Sequence, residues 1–327
     1  MGDCEVIITG DTVPADTGIE ESELERIGAT IRPIKANTES DLIEKATGCS
    51  AIIAKNNPPV TGKVLKALDK CKIVARAGAG VDSIDISAAR HKGLLVTNVE
   101  SYCEDEVSDH TLALILGCLR KITELTNEVK DGNWDRKRMK PAHRLNEMTL
   151  GLVGMGKISR LVAKKSAQFG FRLIGYDPYA SETRFLKSEV EKASWKKLLE
   201  TSDVISIHVP LTNETKDMFR SREFRKMKDS AYVVNTSRGK IIDQGSLIDA
   251  LRSGHIAGAG LDVLQEEPPE KNALFGLENV AITPHVAWYS EESERECRQR
   301  AAREIRRALT GKDPLSPVSS RGYTRNG

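Results

Sequence analysis

The stretch from Thr149 to Arg160, TLGLVGMGKISR, limits what this chain can fold into more than any other. Thr149 to Val153 reads as a short buried strand, Gly154-Met155-Gly156 as a turn, and Lys157 to Phe169 as a helix. A glycine turn of this kind aims the N–H groups of a helix amino end, and the positive end of its dipole, at one point. That point suits a pyrophosphate. Gly154 permits the tight turn, Gly156 lets the backbone approach the phosphates, and Met155, Lys157 and Ile158 complete the cradle. Ser159 stands where the G-x-G-x-x-G pattern has its third glycine; it is small enough to keep helix and strand close. The next strand, Arg172 to Tyr176, ends in Asp177, whose carboxylate suits ribose hydroxyls and repels a 2′-phosphate. A purely structural glycine turn would share the G-x-G but not the flanking strand, helix and distal acid. The expectation is a dinucleotide site for NAD rather than NADP.

The rest of the chain agrees with a parallel sheet. Apolar strands are expected at 5–9, 30–34, 51–54, 72–75 and 94–97, with helices at 20–27, 39–47 and 62–68 between them. A polar segment, 98–106, leads into a long helix over 106–129, with Leu112, Ile115, Leu116, Leu119 and Ile122 at helical spacing. Six strands then make the dinucleotide domain: 149–153, 172–176, 203–208, 232–235, 258–262 and 280–282. A last helix spans 290–309, acidic at its start and basic at its end. The fold class is therefore α/β: two Rossmann-like or flavodoxin-like parallel-sheet domains, with the active site in the cleft between them. Residues 1–100 with 288–314 form the substrate domain and 101–287 the NAD-binding domain. Two crossings would allow hinge closure. The polar tail, 315–327, has little to bury and is expected to lack order.

Bulk properties exclude several classes. A net charge of +2 gives no reason to expect nucleic acid or an anionic membrane as partner. There is no apolar run long enough to span a bilayer and no signal peptide, so the cytoplasm is expected. The six cysteines are scattered without C-x-x-C, which fits a reducing compartment, and no metal-ligand cluster is present.

Four places could carry chemistry. Arg76-Ala77-Gly78-Ala79-Gly80 follows a strand; it is either a plain turn or a set of N–H groups holding a carboxylate. Arg238, Glu267 and His285 each fall just past a strand of the dinucleotide domain. Singly, each reads equally as an exposed or locally satisfied side chain. Jointly they suit hydride transfer to a 2-keto acid, which needs a fixed cation for carboxylate and carbonyl and an acid for the developing alkoxide. Arginine's planar fork serves the first role. Histidine serves the second, with a glutamate to orient its ring and favour its charged form.

RAGAGVDSID (76–85), the fingerprint, HVPLTNET (208–215), NTSRGKIID (235–243), LDVLQEEP (261–268) and TPHVAW (283–288) together resemble the D-isomer-specific 2-hydroxyacid dehydrogenases. The resemblance covers about 45–312 and implies NAD(H) and a homodimer through the NAD-binding domains. It implies that Arg238 binds the substrate carboxylate and carbonyl, that His285 is the general acid/base paired with Glu267, and that Gly78 and Ala79 hold the carboxylate. It places Thr236 and Asp262 at the nicotinamide end and His208, Pro210 and Thr215 on the adenosine side. Trp288-Tyr289-Ser290 and the final helix resemble the branch of the C-terminal-binding-protein corepressors. There Trp288 would line the substrate pocket and favour a bulky or sulfur-bearing 2-keto acid; simple hinge packing is its other reading. That branch also supplies a rival function, an NADH-responsive binding module with little turnover. Last, the basic run Arg136-Lys137-Arg138, with Lys140, His143 and Arg144, is either a solvated loop or a site for a second anionic group.

Overall fold

The β-branched runs of the first hundred residues become neighbouring strands because each is apolar on both faces, and only a sheet covered twice buries both. The computed structural model describes residues 4–10, 14 and 16–318. The chain divides into two units: residues up to Tyr102 together with those from Ser290 on, and Cys103–Tyr289.

In the smaller unit the order is β1 (Cys4–Gly10), α1 (Gly18–Leu24), β2 (Ala29–Lys35), α2 (Glu39–Ala46), β3 (Ala51–Ala54), α3 (Gly62–Ala67), β4 (Ile73–Arg76), α4 (Ile86–His91) and β5 (Leu95–Thr97). All five strands are parallel, in the order β2-β1-β3-β4-β5. Side chains from α2, α3 and α4 cover one face, Leu42, Val64, Leu65 and Ala89 among them. The other face takes Leu24 of α1 and Ala301, Ala302 and Ile305 of the last helix (Glu291–Leu309, numbered below). Glu20, 2% exposed, accepts two bonds of 2.7 Å from Arg298 and ties α1 to that helix.

The tail differs in part from expectation. Residues 315–318 run beside β5: Asn98 N–H donates to the Ser316 carbonyl at 3.3 Å and Val318 N–H to that of Val96 at 2.9 Å. Backbone pairing with a sheet edge needs no apolar pattern, so composition did not reveal it. Residues 319–327 lie outside the described residues.

The larger unit runs α5 (Glu104–Leu119), α6 (Ile122–Lys130), β6 (Thr149–Val153), α7 (Lys157–Ala167), β7 (Arg172–Tyr176), α8 (Glu182–Lys187), β8 (Glu191–Lys192), α9 (Trp195–Thr201), β9 (Val204–Ile207), α10 (Ser221–Phe224), β10 (Tyr232–Asn235), α11 (Gln244–Arg252), β11 (Gly258–Leu261) and β12 (Val280–Ile282), after which the chain returns to the smaller unit as α12 (Glu291–Leu309). Its sheet is parallel, ordered β12-β11-β10-β9-β6-β7-β8. The expected six strands are seven, because β8 is two exposed residues with no apolar signature. The expected long helix is two helices. Lys121 takes a left-handed conformation (φ 50°) that ends α5 just where burial ends, at Leu119; α6 carries no buried residue. Connections leave β6 in one direction and β9 in the other. Their adjacent carboxyl ends form the switch point at which parallel sheets bind ligands. No helix among the described residues is long and apolar enough to cross a membrane.

Glu20→Ala should lower the stability of the smaller unit by about 2 kcal/mol, less than the loss for a fully buried pair because Arg298 keeps 19% of its side chain exposed. Urea unfolding measures this; an unshifted midpoint would mean the pair contributes nothing.

Candidate active site and dinucleotide site

The turn after β6 is built for close approach. Gly154 has φ +91°, and a Cβ there would sit 2.5 Å from the His208 carbonyl, so the turn lies directly on the segment leaving β9. Apart from its chain neighbours, no described residue comes within 4 Å of where a Cβ on Gly156 would be, leaving room for phosphates. The first backbone bond of α7 runs from Arg160 N–H to the Gly156 carbonyl, so the N–H groups between stand at the helix amino end, where no intrahelical partner exists. Ser159 is buried and donates its hydroxyl to the Gly154 carbonyl at 2.7 Å. It thereby satisfies itself at the close-packed position where the pattern has glycine. Met155 is buried, and its N–H donates to Asp177 Oδ2 at 2.9 Å. Asp177 Oδ1 accepts from Tyr179 and Ala180 N–H, which fixes the carboxylate at the end of β7. On the other side of the turn, Thr215 Oγ1 donates to the Pro210 carbonyl at 2.6 Å and bonds with Thr212, holding the 208–215 loop. His208 Nε2 pairs with Ser206 Oγ at 2.8 Å, and burial pushes its pKa down to about 3, so it is neutral. These residues fit a dinucleotide: a glycine cradle at a helix amino end, an acid beyond the next strand, and a polar loop opposite.

Past β10, β11 and β12 a second group assembles. Buried Asn235 accepts from Ser237 N–H at 3.0 Å and donates to the Arg238 carbonyl at 2.9 Å, shaping the turn that presents Arg238. Arg238 Nη1 donates to the Ser237 carbonyl at 2.7 Å. Any Cβ on Gly239 would overlap the Leu264 carbonyl, so this glycine lets the 264–267 loop lie against the Arg238 turn. Glu267 Oε1 accepts from Leu264 N–H at 2.8 Å, and its Oε2 lies 2.5 Å from His285 Nδ1. Burial acts to raise the Glu267 pKa, but the bond to His285, the charge of that ring, Leu264 N–H and the nearby Arg238 together hold it below the usual carboxylate range. Glu267 is therefore an anion, and it holds His285 through Nδ1.

His285 itself has φ +55°. Its N–H donates to the Asp262 carbonyl at 2.8 Å and to that of Thr283 at 3.0 Å. Asp262, 1% exposed, accepts from Thr283 Oγ1 at 2.6 Å and from the N–H groups of Val286 and Ala287 at 2.9 and 3.0 Å. Trp288 Nε1 donates to the His285 carbonyl at 3.0 Å. Thr236 Oγ1 lies 2.8 Å from Thr111 Oγ1 of α5.

Sequence reasoning missed two polar residues of α5, Thr111 and His110. His110 Nε2 lies 2.9 Å from Thr283 Oγ1; because that hydroxyl gives its proton to Asp262, His110 is the donor. The available signal was a polar Ser-Asp-His-Thr run, 108–111, on a helix otherwise apolar toward the sheet.

Gly78 and Ala79 lie in the smaller unit. Gly78 N–H donates to the Arg76 carbonyl at 3.0 Å, whereas Ala79 N–H makes no bond among the described residues, and Asn98 Nδ2 holds the Ala79 carbonyl at 2.7 Å. In the basic run, Arg138 is engaged by Glu128 and by Glu278 at 3.1 Å, while Arg136, Lys140, His143 and Arg144 are exposed.

Comparison with known proteins gives the family. Residues 112–287 match the family model described as D-isomer specific 2-hydroxyacid dehydrogenase, NAD binding domain. The chain is 37% identical over 275 residues to D-3-phosphoglycerate dehydrogenase of Methanocaldococcus jannaschii, covering 84% of this chain and 52% of that one. It thus spans about half the length of such relatives. It is also 37% identical over 282 residues to glyoxylate reductase of Korarchaeum cryptofilum, covering 85% of each. Among solved structures, a glyoxylate reductase from Paecilomyes thermophila superposes with a TM-score of 0.86 at 27% identity, covering 98% of this chain and 100% of that one. A D-lactate dehydrogenase from Aquifex aeolicus, complexed with NAD and lactic acid, gives 0.85 at 28%, covering 94% and 96%.

The depressed His208 pKa has a consequence for stability. The unfolded chain binds a proton at His208 below pH ~6.5 and the folded chain does not until about 3, so stability is full above ~6.5 and falls with pH across that window. His208→Gln should lessen the loss in urea midpoint between pH 7.5 and 5; an identical loss would show that His208 does not cause it.

Proposed function

This chain belongs to the D-isomer specific 2-hydroxyacid dehydrogenase family, and from that premise we propose that it interconverts a D-2-hydroxy acid and its 2-keto acid. The observation that carries this reading is the 2.5 Å contact of His285 Nδ1 with Glu267, with Arg238 near enough for its charge to act on that carboxylate. The larger unit would hold NAD(H), which when bound would supply or accept the hydride.

The chain's own groups do the rest. Arg238 binds the substrate carboxylate and carbonyl oxygen and stabilises the charge that grows there. His285 Nε2 gives a proton to that oxygen in reduction and takes it back in oxidation. Glu267 fixes the tautomer through Nδ1 and stabilises the charged ring. Gly78 and Ala79 offer backbone N–H to the carboxylate, and Trp288 walls the substrate side chain, which favours a bulky or thioether keto acid. Gly154, Met155, Gly156, Lys157 and Ile158 form the pyrophosphate turn and Asp177 takes the ribose. His208, Pro210 and Thr215 flank the adenosine, and Thr236 and Asp262 face the nicotinamide.

A homodimer through the NAD-binding unit is the second part of the proposal. Ile122, Val129 and Trp134 are exposed, Trp134 by 88%, on and just after α6. The same unit has a groove of about 520 Å³ with a mixed lining that includes Met148, Leu277 and Val280 and also Lys121, Glu124 and Glu278. Exposed apolar side chains clustered on one stretch mark a contact surface, and a two-fold interface uses the same patch on both copies.

His285→Ala should cut kcat by roughly 100-fold or more with NADH affinity unchanged, since only the proton donor goes. Arg238→Lys should lower kcat and raise KM, because a point charge cannot replace the fork. Steady-state kinetics with NADH titration decides; full turnover by His285→Ala would refute the assignment. Trp134→Arg should halve the mass measured by light scattering, and a mass unchanged by it would remove this surface from the interface.

A further inference from the structure

Two of the six cysteines stand together in the smaller unit, at the end of the sheet opposite the Gly78–Ala79 turn. Cys49 and Cys71 each come two residues before a strand, β3 and β4, and those strands pair with Ala51 opposite Ile73. The ladder continues one step back, Lys72 N–H to the Ser50 carbonyl at 2.9 Å, so the two cysteines occupy facing positions at the amino end of the sheet. Neighbouring strands lie about 4.8 Å apart, inside the Cα separation of roughly 4.4–6.8 Å that a disulfide spans. The Cys71 thiol donates to the Ile73 carbonyl at 3.3 Å. Cys49 is 0% and Cys71 8% exposed. Each directly follows an exposed turn, Thr47-Gly48 and Asp69-Lys70, so the pair lies one residue beneath the surface.

We propose that Cys49 and Cys71 are a dithiol–disulfide site closed by hydrogen peroxide. The Cys49 thiolate attacks one peroxide oxygen; the O–O bond breaks and hydroxide leaves with the proton Cys49 released, as water. The Cys71 sulfur then attacks the Cys49 sulfur, the S–O bond breaks, and the hydroxyl leaves with the Cys71 proton as a second water. Two thiols are oxidised to one disulfide, and one peroxide is reduced to two waters.

The surroundings favour this pair over the other buried thiols. The neighbouring Cys71 thiol holds the Cys49 pKa below the usual thiol value against burial and the charge of Glu5, with the Arg32 charge helping. Burial pushes Cys118 up to about 12 and Cys297 up to about 11, so those two hold little of the attacking thiolate.

The test treats the full chain with excess hydrogen peroxide at neutral pH, then denatures it, alkylates it and maps the peptides. The expected result is a fall in free thiols from six to four, with one peptide pair joining Cys49 to Cys71 that separates on reduction. Cys49→Ser and Cys71→Ser should each keep all their remaining thiols. An unchanged thiol count, a link between other cysteines, or over-oxidised Cys49 without a link would overturn the proposal. The map of the unaltered chain decides this even where a variant fails to fold.

Discussion

The buried carboxylate of Asp262 is the constraint on which the candidate active site depends. It sits just past β11 at 1% exposure and takes three hydrogen bonds from the 283–287 segment, one hydroxyl and two N–H groups. Its backbone carbonyl takes a fourth, from His285 itself. His285 needs that grip: a left-handed conformation costs a non-glycine residue about 1–2 kcal/mol. Bonds to a charged acceptor contribute about 1.5–3 kcal/mol each, so the grip outweighs the strain. The imidazole therefore has one position, from which Nδ1 meets Glu267.

Two glycines extend this logic through the larger unit. Gly239 removes the side chain that would hold the Glu267 loop away from Arg238, so cation, anion and imidazole stand near one another. Gly154 does the same where β6 meets the His208 segment, putting the dinucleotide turn at the switch point of the sheet. Both act through backbone shape. The charged residues follow the backbone.

What was legible in the sequence was whatever has a period or a punctuation mark. The α/β class followed from short apolar runs alternating with helices, and NAD as cofactor from strand, glycines and distal acid; the family model gives an NAD-binding domain over the same stretch. Features without such a signature were not legible. Strand β8 is two exposed residues, the 315–318 pairing uses backbone alone, and the break at Lys121 lies inside a continuous apolar pattern. Arg238, Glu267 and His285 could be picked out because each follows a strand end, but their mutual distances could not. His110 and Thr111 were hidden as polar positions within an apolar helix.

The most direct measurement is NADH oxidation by the wild-type chain against a panel of 2-keto acids: glyoxylate, hydroxypyruvate, pyruvate, phenylpyruvate, a thioether keto acid, phosphohydroxypyruvate and a phosphonate-bearing keto acid. The account predicts ordinary enzymatic turnover, roughly 1–1000 per second, with at least one of them. Tight NADH binding with no turnover on any member would contradict it, and would favour a nucleotide-responsive binding module built on the same fold.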